Sequence, residues 1–148
     1  MTTRASGETT LPSVNPSPAA TAVEGLVLTI LFHSEPSRIG ESAVLSGGCP
    51  GASLAIGREQ PRVAHRHGRE RRTARGLSDA HISRCALDVR FGDAGIELAR
   101  PAGASRCKIA GNDLAGTTVL SNDRLRRGQV LSLGHSVVLH LRLTALCE

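Results

Sequence analysis

From Leu26 to Phe32 the chain runs Leu-Val-Leu-Thr-Ile-Leu-Phe, an apolar stretch rich in β-formers that predicts a buried strand. Arg38-Ile-Gly-Glu-Ser-Ala-Val-Leu45 follows with a polar/apolar rhythm that predicts a second, pairing strand, stopped by Gly47, Gly48 and Pro50. Ala52 to Ile56 reads as a third short strand, closed by Gly57-Arg58. From Glu59 to Gly76 the chain is polar, rich in Arg and His and without an apolar period, which predicts a long loop. Order returns at His81-Ile-Ser-Arg84. The strand from Ala86 to Phe91 then places Leu87, Val89 and Phe91 on one face.

Gly92-Asp-Ala-Gly95 is turn chemistry, and it joins that strand to Ile96-Glu-Leu98 as a hairpin. Short strands are expected again at Cys107–Ile109 and Thr117–Leu120, separated by the turn Ala110-Gly-Asn-Asp113. Leu125–Gly134 and Ser136–Leu143 supply the last two strands. Many short strands at intervals of about eight to twelve residues, with glycine turns between them, predict an all-β sandwich of two antiparallel sheets. No stretch carries a sustained helical stripe. Residues 1–24, rich in Thr, Ser, Pro, Ala and Gly, have no periodicity and read as a disordered leader. Residues 25–144 then form the one domain that 148 residues can support.

Composition narrows the chemistry. The chain has no Trp or Tyr and only two Phe, Phe32 and Phe91. The core must be aliphatic, and an aromatic stacking platform for single-stranded nucleic acid is not expected. The net charge is +5. Its excess sits in one stretch, at Arg62, Arg66, Arg69, Arg71, Arg72 and Arg75, with Glu70 the only acid among them. Such a run is either a solvated basic loop or a contact for nucleic-acid phosphates.

Cys49, Cys85, Cys107 and Cys147 are irregularly spaced, with no C-x-x-C pair, so no metal site is expected. No cofactor motif is present. No nucleophile has a base at motif spacing, and His65 and His67 lie within the basic loop, so catalysis is not expected. Met1–Ala22 lacks the apolar run of a signal peptide, and no segment is long enough to span a bilayer. A cytoplasmic protein with reduced thiols is the expectation.

The order of the punctuating residues carries more. Ile56-Gly57-Arg58 ends a strand, Leu77-Ser-Asp-Ala-His-Ile-Ser83-Arg84 follows, and Leu125-Arg-Arg-Gly-Gln-Val-Leu-Ser-Leu-Gly134 precedes the last strand. This succession, over about Leu26 to Leu143, resembles the forkhead-associated (FHA) domain. The resemblance implies a β-sandwich whose loops at one end bind phosphothreonine on a partner protein, a general mode of recognition by arginine clusters. On it, Arg58 supplies a charged fork, Ser83 a hydroxyl donor and Arg84 a second charge. Ser105 and Arg106 stand where the family has an Asn-Gly pair that clamps the peptide backbone. Ala86 stands where the family has a His that buttresses the loops. Docking of either a phosphorylated or an unphosphorylated protein partner is thus implied, and the Arg-rich loop 59–76 keeps a nucleic-acid contact open.

A narrower likeness lies in Leu28-Thr-Ile-Leu-Phe-His33, Arg38-Ile-Gly40, Glu59-Gln-Pro61 and Leu77–Arg84. These stretches resemble the N-terminal FHA module of bacterial sigma-54-dependent transcriptional regulators, an input to an ATPase and a helix-turn-helix. No G-x-x-x-x-G-K-[ST] phosphate loop occurs in this chain. The expectation is a stand-alone module or part of a longer regulator.

Overall fold

The computed structural model describes residues 23–45, 51–67, 70–71 and 73–146. The leader up to residue 22, the stop at Gly47, Gly48 and Pro50, and Arg69 and Arg72 of the basic loop lie outside these residues. In chain order the elements are β1 (Val23–Phe32), a 3-10 turn (Pro36–Arg38), β2 (Ser42–Leu45) and β3 (Ser53–Ile56). Then come β4 (Arg66–His67), β5 (Glu70–Arg71), β6 (Leu87–Phe91), β7 (Gly95–Ala99) and β8 (Cys107–Ile109). The last are β9 (Asn112–Asp113), β10 (Thr117–Ser121), helix α1 (Asn122–Arg127), β11 (Gln129–Leu133) and β12 (Val137–Leu146).

The strands form a six-stranded sheet, β2-β1-β12-β11-β8-β9, and a four-stranded sheet, β10-β7-β6-β3. Their pairings are antiparallel. The alternation seen in the sequence sets the layers. Leu26, Leu28 and Ile30 of β1 and Leu139 and Leu141 of β12 face inward from the first sheet. Ile56, Leu87, Val89 and Leu98 face them from the second, and all belong to one aliphatic cluster. At ~25 cal/mol per Å² of apolar surface, burying such side chains stabilises by about 1.5–3 kcal/mol each. Cys107 is part of this core, and burial pushes its thiol up to about 12, which keeps it neutral and unreactive.

Four local expectations need correction. The first strand starts at Val23, ahead of the apolar run, where Val23 and Glu24 pair with Leu146 and Ala145 of β12 and Glu24 is held by Arg126 through two hydrogen bonds of 2.8 and 2.9 Å. Arg38–Leu45 is not one strand. Pro36 opens a 3-10 turn, Gly40 takes a φ of +95°, and the strand itself is Ser42–Leu45, in register with β1. Leu125 to Gly128 is not strand either. The Ser121 hydroxyl accepts from the Arg124 backbone N–H at 3.2 Å and starts α1, which Gly128 ends at a φ of +88°. The basic loop, finally, is not featureless. β4 and β5 form a ribbon within it, and the buried Val63 bridges to Arg75 at its base.

Candidate functional site

One end of the sandwich gathers the sequence-predicted residues. Gly57 lets β3 run hard against the loop that precedes β6, since a Cβ there would lie 1.9 Å from the Arg84 carbonyl oxygen. The backbones are then stitched together. Arg58 N–H donates to Ser83 O at 3.1 Å, Ser78 N–H to Arg58 O at 2.8 Å, and Ala86 N–H to Ile56 O at 2.8 Å. The Arg58 side chain is half-buried, and its Nε donates to Ile82 O at 3.1 Å. Its two terminal nitrogens have no partner among the described residues. The guanidinium is therefore aimed by the backbone while four of its five N–H donors stay available.

Ser83 and Ser105 meet across two loops. Ser83 N–H donates to Ser105 Oγ at 3.0 Å, Ser105 N–H donates to Ser83 Oγ at 2.8 Å, and the hydroxyl oxygens are 2.9 Å apart. Ser105 Oγ also donates to His81 O at 3.2 Å. Arg84 and Arg106 are exposed, and their side chains have no hydrogen bond or ion pair among the described residues. A cleft of about 500 Å³ opens beside this pair, lined by His81, Ser105, Arg106, Gly134, His135 and Ser136. The wall from the β11–β12 turn is fixed by Gly134 N–H donating to Arg106 O at 2.6 Å. One guanidinium and two imidazoles, and no carboxylate, are among the residues that line the cleft.

Several residues that hold this end together are given no role by the sequence patterns. Arg100 donates from Nε to Ser105 O at 3.0 Å and from a terminal nitrogen to Ala104 O, so it grips the loop from behind. Asp79 is buried. Burial alone would push its carboxyl up, but the His81 N–H, at 2.8 Å, and the nearby hydroxyls of Ser136 and Ser34 hold it below the usual value. The Ser136 hydroxyl is buried and lies outside good hydrogen-bond geometry with any described group.

Beneath Leu77, Arg38 is completely buried. It donates to Glu41 Oε1 at 2.6 and 2.9 Å and to Leu77 O at 2.7 Å. The His33 ring accepts from Glu35 N–H at Nδ1, which leaves Nε2–H to donate to the same Leu77 O at 2.7 Å. Ala86 is buried at 0% exposure, so the methyl at this place packs in the core and braces no loop. The arginines of the basic loop are partly occupied. Arg62 donates to Ala74 O at 2.8 Å, and Arg75 pairs with Glu35 at 3.2 Å. The side chains of Arg66 and Arg71 lie outside the described residues. Among the described residues no group of three or more His, Cys, Asp or Glu could hold a metal, and no helix is long and apolar enough to cross a membrane.

No family model and no curated protein matches the sequence. Solved structures do match the fold. The FHA domain of the CT664 protein from Chlamydia trachomatis aligns with a TM-score of 0.55 at 20% identity, over 82% of this chain and 99% of that one. An FHA domain of Arabidopsis thaliana aligns at 0.54 and 15%, over 90% and 97%. The yeast Dun1 FHA domain, solved with a doubly phosphorylated peptide, aligns at 0.50 and 16%, over 93% and 86%. The chain has the β-sandwich fold of FHA domains.

Proposed function

We propose that this chain is a docking module that binds a phosphothreonine-containing segment of a partner protein and performs no reaction on it. Arg58, Ser83, Arg84 and Arg106 would carry the contact, with Ser105 among them in the loop. The observation that carries this reading is Arg58. Its Nε is fixed to Ile82 O, its own backbone N–H is bonded to Ser83 O, and its terminal nitrogens have no partner among the described residues. A phosphate dianion is the ligand that a rigid, unspent guanidinium beside a hydroxyl donor satisfies best. Two FHA neighbours, one solved with a doubly phosphorylated peptide and one with the intracellular domain of another protein, support the same reading. The cleft next to the site would take a flanking side chain, and its Arg106, His81 and His135 favour an acidic one.

The test is a degenerate phosphothreonine-peptide panel on the full chain. Enrichment of phosphorylated over unphosphorylated peptides, with acidic residues favoured on one flank, is expected. Equal binding of both forms would instead support phospho-independent docking. That second reading is favoured by one observation, the Ser83 hydroxyl already being partnered by Ser105. Docking of nucleic acid through the basic loop has less support, because Arg62 and Arg75 are committed to Ala74 O and Glu35.

The partner class we propose is a bacterial signalling protein, the module serving as input to sigma-54-dependent transcription in the cytoplasm. Supporting it, His33 and Arg38 of the matching stretches converge on one carbonyl, that of Leu77, at the start of the recognition loop. Co-purification with a sigma-54 activator would sustain this placement, and partners confined to other processes would end it.

A further inference from the structure

We propose that Ser105 is a positioning residue: its side chain clasps Ser83 and sets the spacing of two recognition loops, and it does not touch the docked segment. The inference rests on the phosphothreonine reading of the same site. Each serine gives its backbone N–H to the other's hydroxyl, at 3.0 and 2.8 Å. The pair thus forms a closed ring between the loop before β6 and the loop before β8, residues 22 apart in sequence. Arg100 holds the carbonyls of Ala104 and Ser105 from the other side, so the second loop is fixed at both faces.

Counting protons sharpens the role. Ser105 Oγ has one hydrogen, and the His81 carbonyl can only accept, so their 3.2 Å bond takes it. Ser105 Oγ is then filled, since it accepts from Ser83 N–H and, over 2.9 Å, from the Ser83 hydroxyl. Of the whole clasp, the Ser83 hydroxyl hydrogen alone can be redirected. A phosphate oxygen would take it, exchanging a neutral hydrogen bond for a shorter, charge-assisted one, while both amide bonds and the His81 bond persist. Docking then needs no rearrangement of the loops, which saves ordering entropy. The Ser83 hydroxyl contacts ligand, and Ser105 acts through it. The clasp also supplies the bracing that the core-packed methyl of Ala86 cannot.

A double-mutant cycle tests this on the full chain, using one phosphothreonine peptide taken from the panel above, with its unphosphorylated form as control. Ser105→Ala should weaken phosphopeptide binding about tenfold, the scale of one to two hydrogen bonds. Ser105→Thr, which keeps the hydroxyl, should stay within about twofold of wild type on the same scale. In the Ser83→Ala background, Ser105→Ala should cost clearly less than tenfold, since only its bonds to the residue-83 N–H and to His81 O remain to be broken. An undiminished tenfold loss from Ser105→Ala in the Ser83→Ala background would mean direct contact and overturn the proposal.

Amide hydrogen exchange of the free protein reads the clasp without ligand. Exchange of the Ser105 N–H should quicken about tenfold in Ser83→Ala, the loss of one bond on the same scale. Unchanged exchange would overturn the clasp itself. If no phosphopeptide binds the wild type, the docking reading falls and the role given to Ser105 falls with it. Normal exchange shifts in that case would leave the clasp as a purely structural bond.

Discussion

Two arginines mark two regions of this molecule that look alike in sequence and differ in kind. Arg38 lies under the loop that carries Leu77, at 0% exposure, with every nitrogen of its guanidinium bonded to Glu41, Leu77 O or Arg75 O. Arg58 lies just past the end of β3, half-buried, and among the described residues its side chain is engaged through Nε alone. The first region spends its charge inside the protein; the second holds its charge rigid and leaves it unspent. A buried cation must be fully paired, since an ionised group without partners in a low-dielectric interior costs several kcal/mol. A cation at a rim can remain open, and fixing its geometry beforehand is what makes it useful to a ligand. In the proposed reading, satisfied donors mark scaffold, and aimed but unsatisfied donors mark a site.

This contrast can be broken by substitution, beginning with the largest effect. Arg38→Ala leaves Glu41 buried without its arginine partner and should cost about 3–5 kcal/mol in urea unfolding. A loss below about 1 kcal/mol, within the range of surface ion pairs, would mean that the pair under Leu77 is not part of the scaffold. Gly57→Ala comes next. The added methyl cannot fit against the Arg84 carbonyl, and the required backbone shift should cost about 2–3 kcal/mol and spoil docking together with stability.

Asp79→Asn should cost about 1–3 kcal/mol, because the His81 N–H and the Ser34 hydroxyl lose a carboxylate acceptor. The sign of its pH dependence follows from the lowered pKa. The stabilisation is present above the unfolded carboxylate value of 3.8 and is lost as the pH falls through the lower folded value. Wild type should therefore lose stability across that acid range more steeply than Asp79→Asn, and parallel acid limbs would contradict this. Smallest of all is the effect of Arg58→Ala on stability. One part-buried hydrogen bond is lost, so unfolding should move by less than about 1 kcal/mol.

The strands were legible because alternation is a strong signal. Leu26, Leu28 and Ile30, and likewise Leu87 and Val89, face the core as their period-two spacing predicts. The helix was missed because it is one and a half turns long, too short for a stripe. Its legible marks were a capping Ser121, Asp123 in the first turn and Gly128 just after the end. Arg58, Ser83, Arg84, Ser105 and Arg106 do come together at one end of the sandwich, but what holds them was invisible. Arg100 reads as an ordinary strand-end arginine, and its task is to bond two carbonyls, which leave no trace in side-chain order. Arg38 read as the polar start of a strand, because nothing local shows that a charge will be buried against Glu41 three residues on. The Ser83–Ser105 ring, too, depends on loops that only the tertiary fold brings into contact.

The central claim is that Arg58 is held open for a phosphate. Its most direct test is calorimetric titration of a phosphothreonine peptide into the wild type and Arg58→Ala, each compared with the unphosphorylated peptide. Loss of a charge-assisted contact worth about 1.5–3 kcal/mol predicts a drop in phosphopeptide affinity of about tenfold to a hundredfold or more, with no change for the unphosphorylated peptide. Equal affinities of wild type and Arg58→Ala for the phosphopeptide would contradict the account.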